Sequence, residues 1–172
     1  SSRIATCKKP ALCRFFLVRA LHDTMASMPK VKLPPGTPDD TEAAFYEALQ
    51  QGDMDRLMAC WNDEDDIVCV HPGGSRLVGH AEVRAGFEAL FANGPVLAHP
   101  EKVRRAEAGA CSVHSVIERV DILTDDGVQQ AWVVATNVYA KTAQGWRMVA
   151  HHASPGLRTA PPDVSDAATV LH

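Results

Sequence analysis

Nothing in this chain of 172 residues offers a staple, a span or a basic face. The five cysteines, Cys7, Cys13, Cys60, Cys69 and Cys111, are odd in number and contain no C-x-x-C pair, which argues against a disulfide framework and a zinc knuckle. Reduced thiols and a cytoplasmic setting are the simpler expectation. The longest apolar run, Ala11 to Leu21, is broken by Arg14 and Arg19 and falls short of the roughly 18 residues of a spanning helix. A net charge of −4 and a pI near 6.0 remove the general electrostatic case for nucleic acid or an anionic membrane surface. No glycine-rich phosphate loop occurs, and no cofactor is expected.

What is present suits one globular domain with its own core: 46% of residues are hydrophobic and only 22% charged. Residues 1–36 read as a leader and extended arm. The first 22 carry Arg3, Lys8, Lys9, Arg14 and Arg19 without an acid, which overlaps transit-peptide composition. The preferred reading is an added or upstream-translated leader, with Met25 and Met28 as starts beside the folded region. The proline-rich stretch Met28 to Pro38 leads into the domain, placed at 37–155. Residues 156–172, with Pro161-Pro162 and few large apolar side chains, read as a flexible tail.

Thr37-Pro38-Asp39-Asp40 predicts a helix start, with a capping threonine, proline at the first helical position and an acid at the third. Ala44, Phe45, Ala48 and Leu49 follow at helical spacing until Gly52, and Asp53 caps a second helix bearing Leu57, Met58 and Trp61. Ile67 to His71 is a short strand ended by Pro72-Gly73-Gly74. A third helix spans about Gly79 to Ala92. The period then changes to two, with strand-like segments Val96 to Ala106, Ala110 to Leu123, Gln129 to Lys141 and Gly145 to His152. Helices first and a meander after them predict an α+β fold.

That order, with Phe45-Tyr46, Gly52-Asp53, Leu57-(x3)-Trp61, Val70-His71-Pro72-Gly73-Gly74, Leu77-x-Gly79, Ala135-Thr136-Asn137-Val138-Tyr139 and Gly145-Trp146-Arg147-Met148-Val149-(x)-His151-His152-(x)-Ser154-Pro155, resembles the nuclear transport factor 2-like superfamily. The superfamily includes SnoaL-type polyketide cyclases, ketosteroid isomerases, scytalone dehydratase and limonene epoxide hydrolase. The resemblance covers about Pro38 to Pro155. It implies three helices on a strongly curved, mixed but mostly antiparallel sheet, a cystatin-like cone with an internal hydrophobic pocket. One fold hosts many reactions, so it does not name one. The last strands also resemble the association domain of calcium/calmodulin-dependent kinases, which assembles and does not catalyse.

Set against the isomerase pattern, His71 stands where that family has its general-base aspartate. Phe45 stands at its oxyanion-hole tyrosine and Trp132 near its protonated aspartic acid. Neither can donate an oxygen-bound proton, and losing such a donor typically costs on the order of 10²–10³ in rate. Tyr46 is one residue out of register, about 100° around a helix.

His71 has the pKa range of a neutral-pH base and sits at a strand end; alternatively it bonds the loop backbone and holds the turn. His151 and His152 are neighbours on a strand and point to opposite faces. Counting by twos puts Trp146, Met148, Ala150 and His152 on one face, and the resemblance places His152 where an aromatic lines the isomerase pocket. His152 is therefore the expected pocket histidine, with His151 facing a partner. A buried Glu118 near His71 or His152 would form an acid–base pair; the alternative is an exposed Glu118 pairing with neighbours.

Phe45, Trp61, Trp132, Asn137 and Trp146 are the expected lining of a pocket for a small apolar or aromatic molecule. Cys69, His71, His80, His151 and His152 match no ligand template, so no metal site is expected. Cys69 and Cys111 lie in apolar strands and read as inert thiols. Two functions stay open: proton transfer on a small carbonyl compound by His71, Glu118 and His152, as in cofactor-independent isomerases, cyclases or dehydratases, or a non-catalytic dimeric module. Both faces of Ala131 to Tyr139 are largely apolar, which predicts a homodimer.

Overall fold

The computed structural model of the chain describes residues 36–156. The expected arm and tail lie outside that range except for Gly36 and Gly156.

Helix α1, Pro38–Gln51, starts where the sequence places it. Thr37 Oγ1 accepts from the Asp40 amide at 3.2 Å while the Asp40 carboxylate accepts from the Thr37 amide at 2.7 Å, closing a capping box. Gly52 ends the helix at φ 66°, left-handed backbone that a residue with a Cβ resists. Asp53 accepts from the Arg56 amide and so caps α2, Met54–Ala59. Helix α3, His80–Phe91, buries Val83 and Phe87.

Six strands follow these helices or lie between them: β1 Val68–Val70, β2 Arg76–Val78, β3 Leu97–Ala108, β4 Cys111–Thr124, β5 Gly127–Thr142 and β6 Gly145–Pro155. They form one sheet in the order β2-β1-β6-β5-β4-β3, antiparallel except where β1 runs parallel to β6. The fold is therefore the expected α+β cone, a curved sheet with helices on its inner face. Strand β2 was not legible: at three residues it carries no periodicity, and its place comes only from pairing with β1. Phe45, Leu57, Trp61, Ile67, Phe87, Tyr139 and Met148 form the centre of the core. Each large apolar side chain so enclosed stabilises the fold by about 1.5–3 kcal/mol in water-transfer terms.

Two irregularities shape the sheet. The β3–β4 ladder shifts register between Pro100 and Lys102, where proline can offer no amide to an edge strand. In the β5–β6 ladder Val138 faces Ala150 but Tyr139 faces Met148, so Val149 is an extra residue, a β-bulge. This bulge overturns the count by twos. Met148 faces inward, one residue is spent at the bulge, and the next inward positions are His151 and Ala153, both buried, while His152 is exposed. His152 is thus not in the interior, and its place is taken by His151.

Candidate functional site

The inner face of the sheet carries a row of side chains in register across its strands: Cys69 on β1, His151 on β6, Asn137 on β5 and His114 on β4. Alternation along each strand turns all four inward, and all four are buried. Helix α1 crosses this face and presents Glu42 and Tyr46, four residues apart and therefore on one stripe.

These groups are hydrogen-bonded into one network. His151 Nδ1 lies 2.7 Å from Asn137 Oδ1. Asn137 Nδ2 donates to Glu42 Oε2 at 3.2 Å and to the Tyr46 hydroxyl at 3.3 Å. Glu42 Oε2 also meets His114 Nδ1 at 2.9 Å and accepts from the Tyr139 hydroxyl at 3.2 Å. The Tyr46 hydroxyl donates to Glu118 Oε1 at 2.7 Å. Buried polar groups without partners are costly, so a network this enclosed persists only because nearly every member is satisfied.

Burial sets the protonation states. His151, 6% exposed, has its pKa pushed down to about 3 by loss of hydration, then by His71 and His152 nearby, and it is neutral. His71 is lowered by the same desolvation. The Glu118 carboxyl moves up, mainly through burial, with the Tyr46 hydrogen bond opposing the shift and Glu42 adding to it. The Tyr46 and Tyr139 hydroxyls are raised far above the ordinary range, first by burial. Cys69 is pushed up to about 12 by burial, which leaves it a thiol and not a nucleophile.

His71 is half-buried beside this network. Its ring meets Phe87 edge-on at 4.7 Å between centroids, and its Nε2 is buried with no hydrogen-bond partner among the described residues. The Trp61 Nε1–H, in a side chain 1% exposed, likewise has no partner among the described residues. Phe45 packs edge-on against Trp61 and Phe87, and 5.5 Å from His151.

Phe45, Trp61 and Asn137 are interior, and Trp146 packs at the edge of the core, its carbonyl accepting from Thr41 Oγ1. Trp132 is not interior. Val133 and Ala135 take the inward parity of β5, so Trp132 lies on the outer face, half-buried opposite Arg119. Glu118 is buried as its first reading required, but its hydrogen-bond partner is Tyr46 and not His71 or His152. Tyr46 itself reaches the interior despite its offset from Phe45, because α1 lies with both residues against the sheet.

Glu42, His114 and Tyr139 were missed. Glu42 was legible only as a lone acid one turn before Tyr46, and His114 as an inward-parity histidine between Ser112 and Val116. Ser112 Oγ, His114 and Glu42 fall in the order nucleophile, base and acid, with Ser112 Oγ 3.0 Å from His114 Nε2. Ser112 is wholly enclosed, so its hydroxyl serves as a partner for the imidazole. The ligating atoms of Asp39, Glu42 and His114 lie within 4.8 Å of one another, but Asp39 is ion-paired with Arg105 and Glu42 is committed to the network.

A SnoaL-like domain model matches residues 39–158. The chain belongs to the SnoaL-like family. Among solved structures, this SnoaL-like chain is 35% identical to a protein provisionally named a calcium/calmodulin-dependent protein kinase type II association domain, from Thiobacillus denitrificans. The match covers 73% of this chain and 100% of that one, with a TM-score of 0.67. It is 30% identical to a provisionally named dehydratase of the NTF2-like family from Streptomyces avermitilis, over 70% of this chain and 99% of that one, with a TM-score of 0.62. A cystatin-like protein from Caulobacter vibrioides, 13% identical over 69% of this chain and 87% of its own, shares the fold with a TM-score of 0.59. No curated protein matches the SnoaL-like chain. No helix among the described residues is long and apolar enough to cross a membrane.

Proposed function

We propose that the chain binds a small, neutral, apolar or aromatic carbonyl compound in its cone and moves a proton on it, as a cofactor-independent isomerase, cyclase or dehydratase does. One observation carries this reading: a continuous run of buried hydrogen bonds from His151 through Asn137 and Tyr46 to Glu118, inside an otherwise aromatic interior. Perturbed titratable groups converging in an apolar interior favour proton transfer over simple packing. His151 and His71 are the proposed acceptors, and the Tyr46–Glu118 pair the proposed donor. The similarity to a provisionally named dehydratase supports the reading without naming the substrate.

The test is deuterium uptake at the α-carbon of 2-tetralone, an enolisable aromatic ketone, in deuterated buffer. General acid–base catalysis contributes typically 10²–10⁴-fold, so uptake should exceed the uncatalysed rate by that order and fall in His151→Phe and His71→Ala. Equal rates with all three proteins and with buffer alone would refute the proposal.

A second reading, assembly, rests on a separate observation. The outer face of β5 exposes Val134 at 39% beside half-buried Trp132, with half-buried Val138 beyond Thr136, a mostly apolar strip on the face away from the helices. Its proposed occupant is a second copy of this chain, and the similarity to an association domain supports that choice. Homodimerisation is compatible with catalysis. The free thiols of Cys60, Cys69 and Cys111 fit the reducing, cytoplasmic setting proposed for the domain.

A further inference from the structure

Asn137 sits at the centre of the network, fully enclosed, and its two ends are chemically distinct. Glu42 Oε2 accepts from the Tyr139 hydroxyl and from the Asn137 amide nitrogen, which is the end that faces it. The Tyr46 hydroxyl gives its own hydrogen to Glu118 and accepts from the same nitrogen. The amide oxygen therefore faces His151 Nδ1 at 2.7 Å, and that short bond needs a hydrogen on Nδ1. A neutral imidazole carries one N–H, so Nε2 is left bare.

We propose that Asn137 is a positioning residue that holds His151 in the Nδ1–H tautomer, making Nε2 the lone pair a ligand must meet. The ligand class follows: a neutral molecule that brings an acidic O–H, N–H or activated C–H to Nε2. An anion is disfavoured, because it would meet a lone pair with no hydrogen to offer. Free histidine side chains favour the opposite, Nε2–H form, so the bound tautomer is a distinctive mark. The ligand class rests on the proton-transfer reading; the tautomer does not.

The tautomer is read directly on the ligand-free, ¹⁵N-labelled full chain by long-range ¹H–¹⁵N correlation of the histidine rings, with His151→Phe supplying the assignment. The expected spectrum shows Nδ1 protonated and Nε2 with the downfield shift of a bare ring nitrogen from about pH 6 to about pH 8. Asn137→Asp retains an acceptor oxygen and should retain an Nδ1–H. Asn137→Leu should release the ring toward Nε2–H and lower α-deuteration of 2-tetralone by an order of magnitude or more, since a wrong tautomer removes the base. A wild-type spectrum showing Nε2–H, or an imidazolium at neutral pH, would overturn the proposal, as would an unchanged Nδ1–H in Asn137→Leu. If the leucine variant does not fold, the wild-type spectrum decides alone. Absence of 2-tetralone exchange with the expected tautomer intact would sink the catalytic reading and leave the tautomer standing.

Discussion

At the scale of single residues, the buried titratable groups impose opposite pH dependences on stability. His151 binds its proton only near pH 3 when folded, against an ordinary value of 6.5, so the unfolded chain takes up the proton first as pH falls. Stability is therefore full above about 6.5 and declines below it, and His71 acts in the same direction. Glu118 does the reverse: its folded pKa lies above the ordinary 4.5, so the unfolded carboxyl ionises first and stability is lost as pH rises above that value. Denaturant midpoints measured across pH should show both limbs. His151→Phe should flatten the acidic limb, and Glu118→Gln, which retains an acceptor for Tyr46, the upper one. Tyr46→Phe removes the hydroxyl donor to Glu118 Oε1 and should cost about 1–3 kcal/mol, read as a lower midpoint at unchanged slope.

At the scale of elements, close approach between α3 and the β1–β2 hairpin positions His71. A Cβ built on Gly86 would lie 2.4 Å from Leu77 Cδ1 and 3.3 Å from His71 Cε1. In an open helix Gly→Ala gains up to about 1 kcal/mol. Here Leu77 must change rotamer and the imidazole must shift, so Gly86→Ala should lose about 1 kcal/mol or more and move the His71 ring resonances. Gly156, one residue beyond β6, is a comparable point. Its amide donates to the Trp132 carbonyl at 2.7 Å, and an added Cβ would lie 2.6 Å from that same oxygen. Because the obstruction is backbone, Gly156→Ala should loosen the β5–β6 end, seen as faster amide exchange at Val133 and Trp132.

At the scale of the whole molecule, the sheet separates a buried polar network under the helices from an apolar outer strip. If the strip joins two copies, sedimentation of the wild type should give a dimer, and Val134→Glu should give a folded monomer. A charge there is tolerated by a free surface and repelled by a covered one. A monomeric wild type at micromolar concentration would leave the outer strip without the proposed occupant.

The amino-acid sequence determined what depends on local chemistry: the capped start of α1 at Thr37, the stop at Gly52, the change of period after Pro95 and hence the α+β class. It also determined which residue types could transfer a proton. Only the tertiary structure decided which of them meet. A single unpaired residue, Val149, exchanged the roles of His151 and His152, because side-chain parity along a strand is relative and one bulge inverts everything beyond it. Trp132 lies outward for a separate reason: on β5 the inward positions are Val133, Ala135 and Asn137, and a strand alternates. The Glu42–His114 and Tyr46–Glu118 pairs each join residues 72 positions apart, a separation that no local pattern encodes and that helix-on-sheet packing alone closes.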